Sequence, residues 1–158
     1  MRSKPAPKRK IASDAVYNNR LVAKLVNCIM YDGKKTVAQK QVYGALKIVG
    51  EKTNQDELQV FLSAIENIKP QMEVRARRIG GAAYQIPTPV RSERKESLSI
   101  RWLIMGARAR TNSEFHSFGE KLAAEIIDAY NQTGTAIKKR TDIHRMAEAN
   151  RAFAHFKW

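Results

Sequence analysis

The residues in this chain best equipped for chemistry are guanidinium groups. Arg75, Arg77 and Arg78 stand just before the Gly80-Gly81 pair in the segment MEVRARRIGGAAYQIPTPVR. Guanidinium is planar, permanently charged and matched to paired phosphate oxygens, so it offers anion binding rather than bond making. Groups able to make bonds are sparse. His116, His144 and His155 have no Cys or Asp at a familiar catalytic or zinc-ligand spacing. Asp142 and His144 are two apart on a helical stretch, so they do not face each other. Cys28 is the single cysteine, which excludes an internal disulfide and fits a reducing compartment. Glu120, Glu125 and Asp128 read as a solvated helix face. Gly33-Lys34-Lys35 lacks the Gly at position 28 and the hydroxyl at position 35 that a phosphate loop needs. No catalytic site, metal or cofactor is expected, and the chain does not read as an enzyme.

The charge balance points the same way. Lys and Arg number 29 against 15 acids in 158 residues, a net charge of +14. Such an excess calls for a polyanionic partner. With no run of about 18 apolar residues and no secretory signal, a membrane is not the expected partner. The excess is zoned: residues 69–110 carry ten basic and three acidic groups, while 51–68 and 111–137 together hold eight acids against two bases. Arg94, Arg101 and Arg108 are seven apart and fall on one helix face, continuing a basic zone with Arg91 and Arg110. Lys34 and Lys35 open a helix, where cations are poor dipole partners unless phosphates lie nearby. Lys138 and Lys139 begin a basic last segment. It ends in RMAEANRAFAHFKW, where Arg145 and Arg151 interleave with rings in a pattern suited to base stacking.

The elements that must position these groups are mainly helical. Residues 1–12 read as a flexible basic tail, 13–147 as a single helical domain, and 148–158 as a basic, aromatic C-terminal tail. Ser13 or Asp14 is expected to cap a first helix beginning near Val16, with Leu21, Leu25, Cys28 and Ile29 as its apolar stripe and Gly33 as its left-handed end. A second helix buries Ala38, Val42, Ala45, Leu46 and Val49, and Gly50 closes it. A third runs from about Asp56 to Lys69-Pro70. Residues 72–91 alternate in polarity around Gly80-Gly81 and predict a β-hairpin arm. Pro87 and Pro89 turn their missing donors to one edge, which must be unpaired. A lone ribbon is marginal in water, so the arm needs support. Ser92 is expected to cap a fourth, central helix, apolar nearly all round from Leu98 to Met105. Thr111-Asn112-Ser113 reads as a loop and cap for a fifth helix, and a sixth runs from Thr135 to about Ala147. The fold class is therefore mainly α, six helices with a two-stranded hairpin between helices three and four.

Four stretches carry a family likeness: Leu21-xxx-Leu25-Val26 followed by Asp32-Gly33-Lys34-Lys35, the arm VRARRIGGAAYQIP, Ile100-Arg101-Trp102, and the closing HRMAEANRAFAHFKW. On these the chain resembles the small-subunit ribosomal protein seven family, bacterial type, over essentially its whole length. The resemblance implies a cytoplasmic, ribosome-bound protein that binds the 3′ major domain of small-subunit ribosomal RNA and nucleates head assembly. Its implied partners are that RNA, ribosomal protein eleven of the small subunit, and exit-site tRNA and mRNA. Some family members repress their own operon mRNA. Matched positions imply RNA contacts at Lys8, Arg9, Lys10, Lys34, Lys35, Arg75, Arg77, Arg78, Arg94, Arg101 and Arg108, to which the basic zoning adds Arg91, Arg110, Lys138 and Lys139. The likeness places Gly80, Gly81, Tyr84, Arg145, Arg151 and His155 near the exit of tRNA and mRNA. Gln41 departs from a usually apolar position, and Ala82-Ala83 from a frequent Ser or Thr. A rival reading is a DNA-architectural protein with a basic β-arm, disfavoured because Gly80, Gly81 and Ala82 offer no apolar wedge.

Overall fold

The computed structural model describes residue 9 and residues 11–156. Among these it has six α-helices and one two-stranded sheet, in the order α1 (Arg20–Ile29), α2 (Lys35–Thr53), α3 (Glu57–Ile68), β1 (Met72–Ile79), β2 (Ala82–Pro89), α4 (Ser92–Ala109), α5 (Phe118–Tyr130) and α6 (Gly134–Ala149), then a short 3-10 helix (Arg151–Phe156). The predicted class, mainly helical with a hairpin between α3 and α4, is what the structure shows. Most of the expected tail at residues 1–12 lies outside the described residues.

Apolar periodicity builds the bundle. α2 buries Ala38, Val42, Ala45, Leu46 and Val49, the set its spacing predicts. α3 is capped by Asp56, whose side chain accepts from the Leu58 amide, and it buries Phe61, Ile65 and Ile68. Each large side chain taken out of water this way contributes roughly 1.5–3 kcal/mol. α5 packs against α2, α3, α4 and α6, and α4 against α1, α3, α5 and α6, so the two share the centre.

Several local expectations are corrected. α1 starts at Arg20, not near Val16, and Asn19 caps it by accepting from the Leu21 amide. Asp14 is occupied elsewhere: it accepts from the Val16 and Tyr17 amides and from the Tyr43 hydroxyl. Asn18, at φ 45°, then breaks the helical path. The buried stripe of α1 is Val22, Leu25, Val26 and Ile29, and Cys28 is exposed. α2 runs through Gly50 and ends at left-handed Asn54. Ser92 is the first helical residue of α4 and not its cap. Met105, expected inside, is 55% exposed. Ser117, not Ser113, caps α5 by accepting from the Glu120 amide.

The arm is an antiparallel ribbon with Ile79 opposite Ala82, so Gly80 and Gly81 form its two-residue turn. Their φ values of +56° and +91° are the left-handed pair that such a turn requires. Counting from that closing pair, Pro87 opposite Val74 and Pro89 opposite Met72 occupy non-hydrogen-bonded sites, where a missing N–H costs nothing to the ladder. The root of the arm is supported by protein. Ile86 and Pro87 are buried, α6 packs along β1, and the terminal 3-10 helix packs along β2.

Candidate nucleic-acid interface

The basic residues fall into distinct electrostatic classes that their sequence does not separate. Arg77 and Arg78 on β1 are exposed and have no carboxylate partner among the described residues. Arg75 and Arg94 share one. Glu73 is buried at the root of the arm, where its Oε1 accepts from Arg75 Nε at 2.7 Å and its Oε2 from Arg94 Nε at 2.6 Å. Burial pushes this carboxyl up, but the hydrogen bonds and charges of Arg94 and Arg75 outweigh it and hold it below its ordinary 4.5. Both arginines keep about half their side-chain surface exposed, 54% and 51%, so the cluster offers guanidinium faces at a net charge of +1.

Arg110 is different. It donates to Glu125 Oε2 through Nε at 2.9 Å and Nη2 at 2.6 Å, and it also bonds Asp128. Glu125 is fully buried, which corrects its reading as part of a solvated face. Its other oxygen accepts from Thr135 Oγ1 at 2.7 Å and the Ala136 amide at 3.0 Å. A carboxylate from α5 thus caps the N-terminus of α6, where its charge suits the helix dipole. Arg110 is held half-buried against these two carboxylates and is not displayed like its neighbours.

α4 carries the remaining row. Arg94 meets the arm through Glu73. Arg101 follows on the same exposed face, and Arg108 lies over the Tyr31 ring, 4.6 Å from its centroid, beyond the end of α1. The fourteen residue steps from Arg94 to Arg108 span about 21 Å of helix axis. One strip therefore links the arm to the α1–α2 turn, where Lys34 and Lys35 are exposed. Arg91, at the N-cap position of α4, is exposed beside the root of the arm. Lys139 lines a groove with Trp102 and Met105 and so borders the strip from α6, with Lys138 exposed next to it. Arg9 is exposed near Arg20 and Lys24, while Lys8 and Lys10 lie outside the described residues.

Comparison with known proteins is decisive at this point. The model of the family described as ribosomal protein S7p/S5e matches residues 1–151. The chain belongs to the ribosomal protein S7p/S5e family. Similar relatives, each named small ribosomal subunit protein uS7, include one from Thermotoga maritima, 58% identical over the full length of both chains. Others come from Caldicellulosiruptor saccharolyticus, at 57%, and Lawsonia intracellularis, at 54%, each covering 99% of both chains. The family resemblance read from the motifs is borne out, and a ribosomal protein of this family is a structural component, not an enzyme. No helix of the described residues is long and apolar enough to cross a membrane.

Within this S7p/S5e chain, some of the residues expected near the tRNA and mRNA exit lie on neighbouring elements. Tyr84 on β2 packs against Phe153 of the terminal 3-10 helix, ring centroids 5.3 Å apart. This draws exposed Arg151 and His155 alongside the arm whose exposed tip is Gly80-Gly81. Arg145, on α6, makes an exposed ion pair with Asp142. His144 is half-buried and accepts from the Gln71 amide at 3.0 Å. Burial, then the Arg140 charge, lower its pKa below the ordinary 6.5. Sequence reasoning missed Glu73 as an organiser of the arm. Its signal was present: on a strand, Glu73 and Arg75 are two apart and share a face.

Proposed function

We propose that the protein is a small-subunit constituent that binds the 3′ major domain of the ribosomal RNA and nucleates assembly of the subunit head. The observation that carries this reading is the continuous strip from the arm along α4 to the α1–α2 turn. It is rigidly mounted on packed helices and rich in exposed cations, of which Arg77, Arg78, Arg101, Lys34 and Lys35 have no carboxylate partner among the described residues. Such a surface gains affinity by replacing condensed counterions on RNA phosphates. It suits shape recognition across helix junctions, because the major groove of A-form RNA is too narrow for side chains to read. The arm tip, Tyr84, Arg145, Arg151 and His155 would then face departing tRNA and mRNA, with ribosomal protein eleven as a neighbour. The family likeness supports these finer assignments, and a ribosomal role would place the protein in the cytoplasm. Nucleotide-resolution footprinting on total ribosomal RNA tests the reading: protection should concentrate in the 3′ major domain. Equal affinity for random duplex DNA at matched salt would overturn it.

A further inference from the structure

The strip ends in a groove that phosphate binding alone does not explain. Between the C-terminal turn of α1, the start of α2 and the end of α4 lies a cavity of about 370 Å³ with a largely apolar lining. Tyr31 and Val37 are strongly exposed at its mouth, 64% and 55%. Two cations stand at it: Lys34, and Arg108 over the Tyr31 ring. Gln41 lines it as well. Its Oε1 accepts from the Gly119 amide at 2.8 Å, which fixes the amide orientation and leaves Nε2 with no partner among the described residues. No carboxylate lines the groove, and Asp32 in the adjoining turn is not part of it.

We infer that this groove receives a single unstacked nucleobase of the bound RNA. The inference rests on the RNA-binding reading above. Aromatic rings and guanidinium groups are the surfaces on which splayed-out bases stack, and Tyr31 with Arg108 supplies both. The Gln41 Nε2 donors suit an acceptor on the base edge, a carbonyl oxygen or ring nitrogen. Lys34 is placed for the flanking phosphate. The cationic rim and its continuity with the α4 strip favour a polyanion over an apolar protein segment. Gln41 thus acquires a reading role.

The test measures binding of the full chain to a 3′ major-domain RNA fragment across a salt series. Tyr31→Ala should weaken it about 5- to 150-fold with an unchanged salt slope, and Tyr31→Phe should bind like the parent chain. Because Tyr31 is exposed, both variants should melt as the parent does. Ultraviolet crosslinking should join Tyr31 to one nucleotide. Making that nucleotide abasic should cost as much as Tyr31→Ala, and the two losses should not add. Specific RNA binding that Tyr31→Ala leaves intact would overturn the base site and spare the RNA-binding reading. A variant that binds RNA normally but fails to join other subunit proteins would make the groove a protein contact and overturn it too. Loss of RNA specificity in the parent chain would sink both.

Discussion

The sorting of arginines by partner predicts different outcomes for substitutions that look equivalent on paper. Arg77 and Arg78 have no carboxylate partner among the described residues, so replacing both with Ala removes two cations and leaves the fold intact. If each meets a phosphate, the slope of log K against log salt should flatten by about 1.4–1.8, since each contact contributes roughly 0.7–0.9. Arg110→Ala should behave oppositely. Its guanidinium neutralises Glu125, which is fully buried, and breaking such a pair from one side costs about 3–5 kcal/mol. In a chain of this size that lowers the melting temperature by roughly 6–20 °C, while the salt slope of the surviving folded protein is unchanged. Filter binding at four or five salt concentrations and thermal melts followed by circular dichroism separate the two effects. A flattened slope for Arg110→Ala at an unchanged melting temperature would refute the assignment of Arg110 to the buried Glu125.

Three further outcomes follow from local geometry. Gly106→Ala should destabilise the fold by at least about 1–3 kcal/mol, measured by urea unfolding, because an added Cβ would overlap Thr135 Oγ1 and lie 2.7 Å from Glu125 Cδ. His144 should make stability fall in mild acid. Its pKa is lowered in the folded state, so its contribution is present above the ordinary 6.5 and is lost as pH drops below that value. The melting-temperature gap between the parent and His144→Ala should therefore narrow from pH 7.5 to pH 5.5. Glu73, also lowered, should contribute stability that is fully present above the ordinary 4.5 and is lost as pH falls below it, so the stability gap between Glu73→Gln and the parent should narrow as pH is taken down from 4.5.

Legibility from sequence followed the range of the interactions involved. The α2 face was readable because burial of Ala38, Val42, Ala45, Leu46 and Val49 depends on a period within one helix. The hairpin was readable because the Gly80-Gly81 turn is a local backbone requirement. Helix ends were less so. Gly50 has the residue type of a terminator, yet α2 continues through it, close against Glu57 at the start of α3, and Asn54 takes the left-handed position instead. Asp14 has the type of a cap but is held by Tyr43, twenty-nine residues on. Glu125 was misread for the same reason. Its partners Arg110, Thr135 and Ala136 lie on other segments, although its place three residues after buried Leu122 and four before buried Ala129 already sets it on the apolar face of α5. The basic zone is dense in the sequence itself, but the division of its arginines into exposed, shared and half-buried is a tertiary property.

Glu73 poses the sharpest question, since a carboxylate at the root of a cationic arm lowers the charge available to phosphate. Its geometry suggests the compensation. By holding Arg75 of β1 and Arg94 of α4 on opposite oxygens, it fixes the arm to the helix strip and orders two long side chains before RNA arrives. Ordering one such side chain on binding costs about 0.5–1.5 kcal/mol, so prior ordering of two spares roughly 1–3 kcal/mol. Glu73→Gln removes that ordering and raises the cluster from a net charge of +1 to +2. The added charge should steepen the salt slope by about 0.7–0.9. The lost order is insensitive to salt. The two binding curves must therefore cross: the variant binds more tightly at low salt, where charge dominates, and more weakly at high salt, where pre-arrangement dominates. A variant curve parallel to the parent's would show that Arg75 and Arg94 do not reach phosphate, and Glu73 would then serve the fold alone.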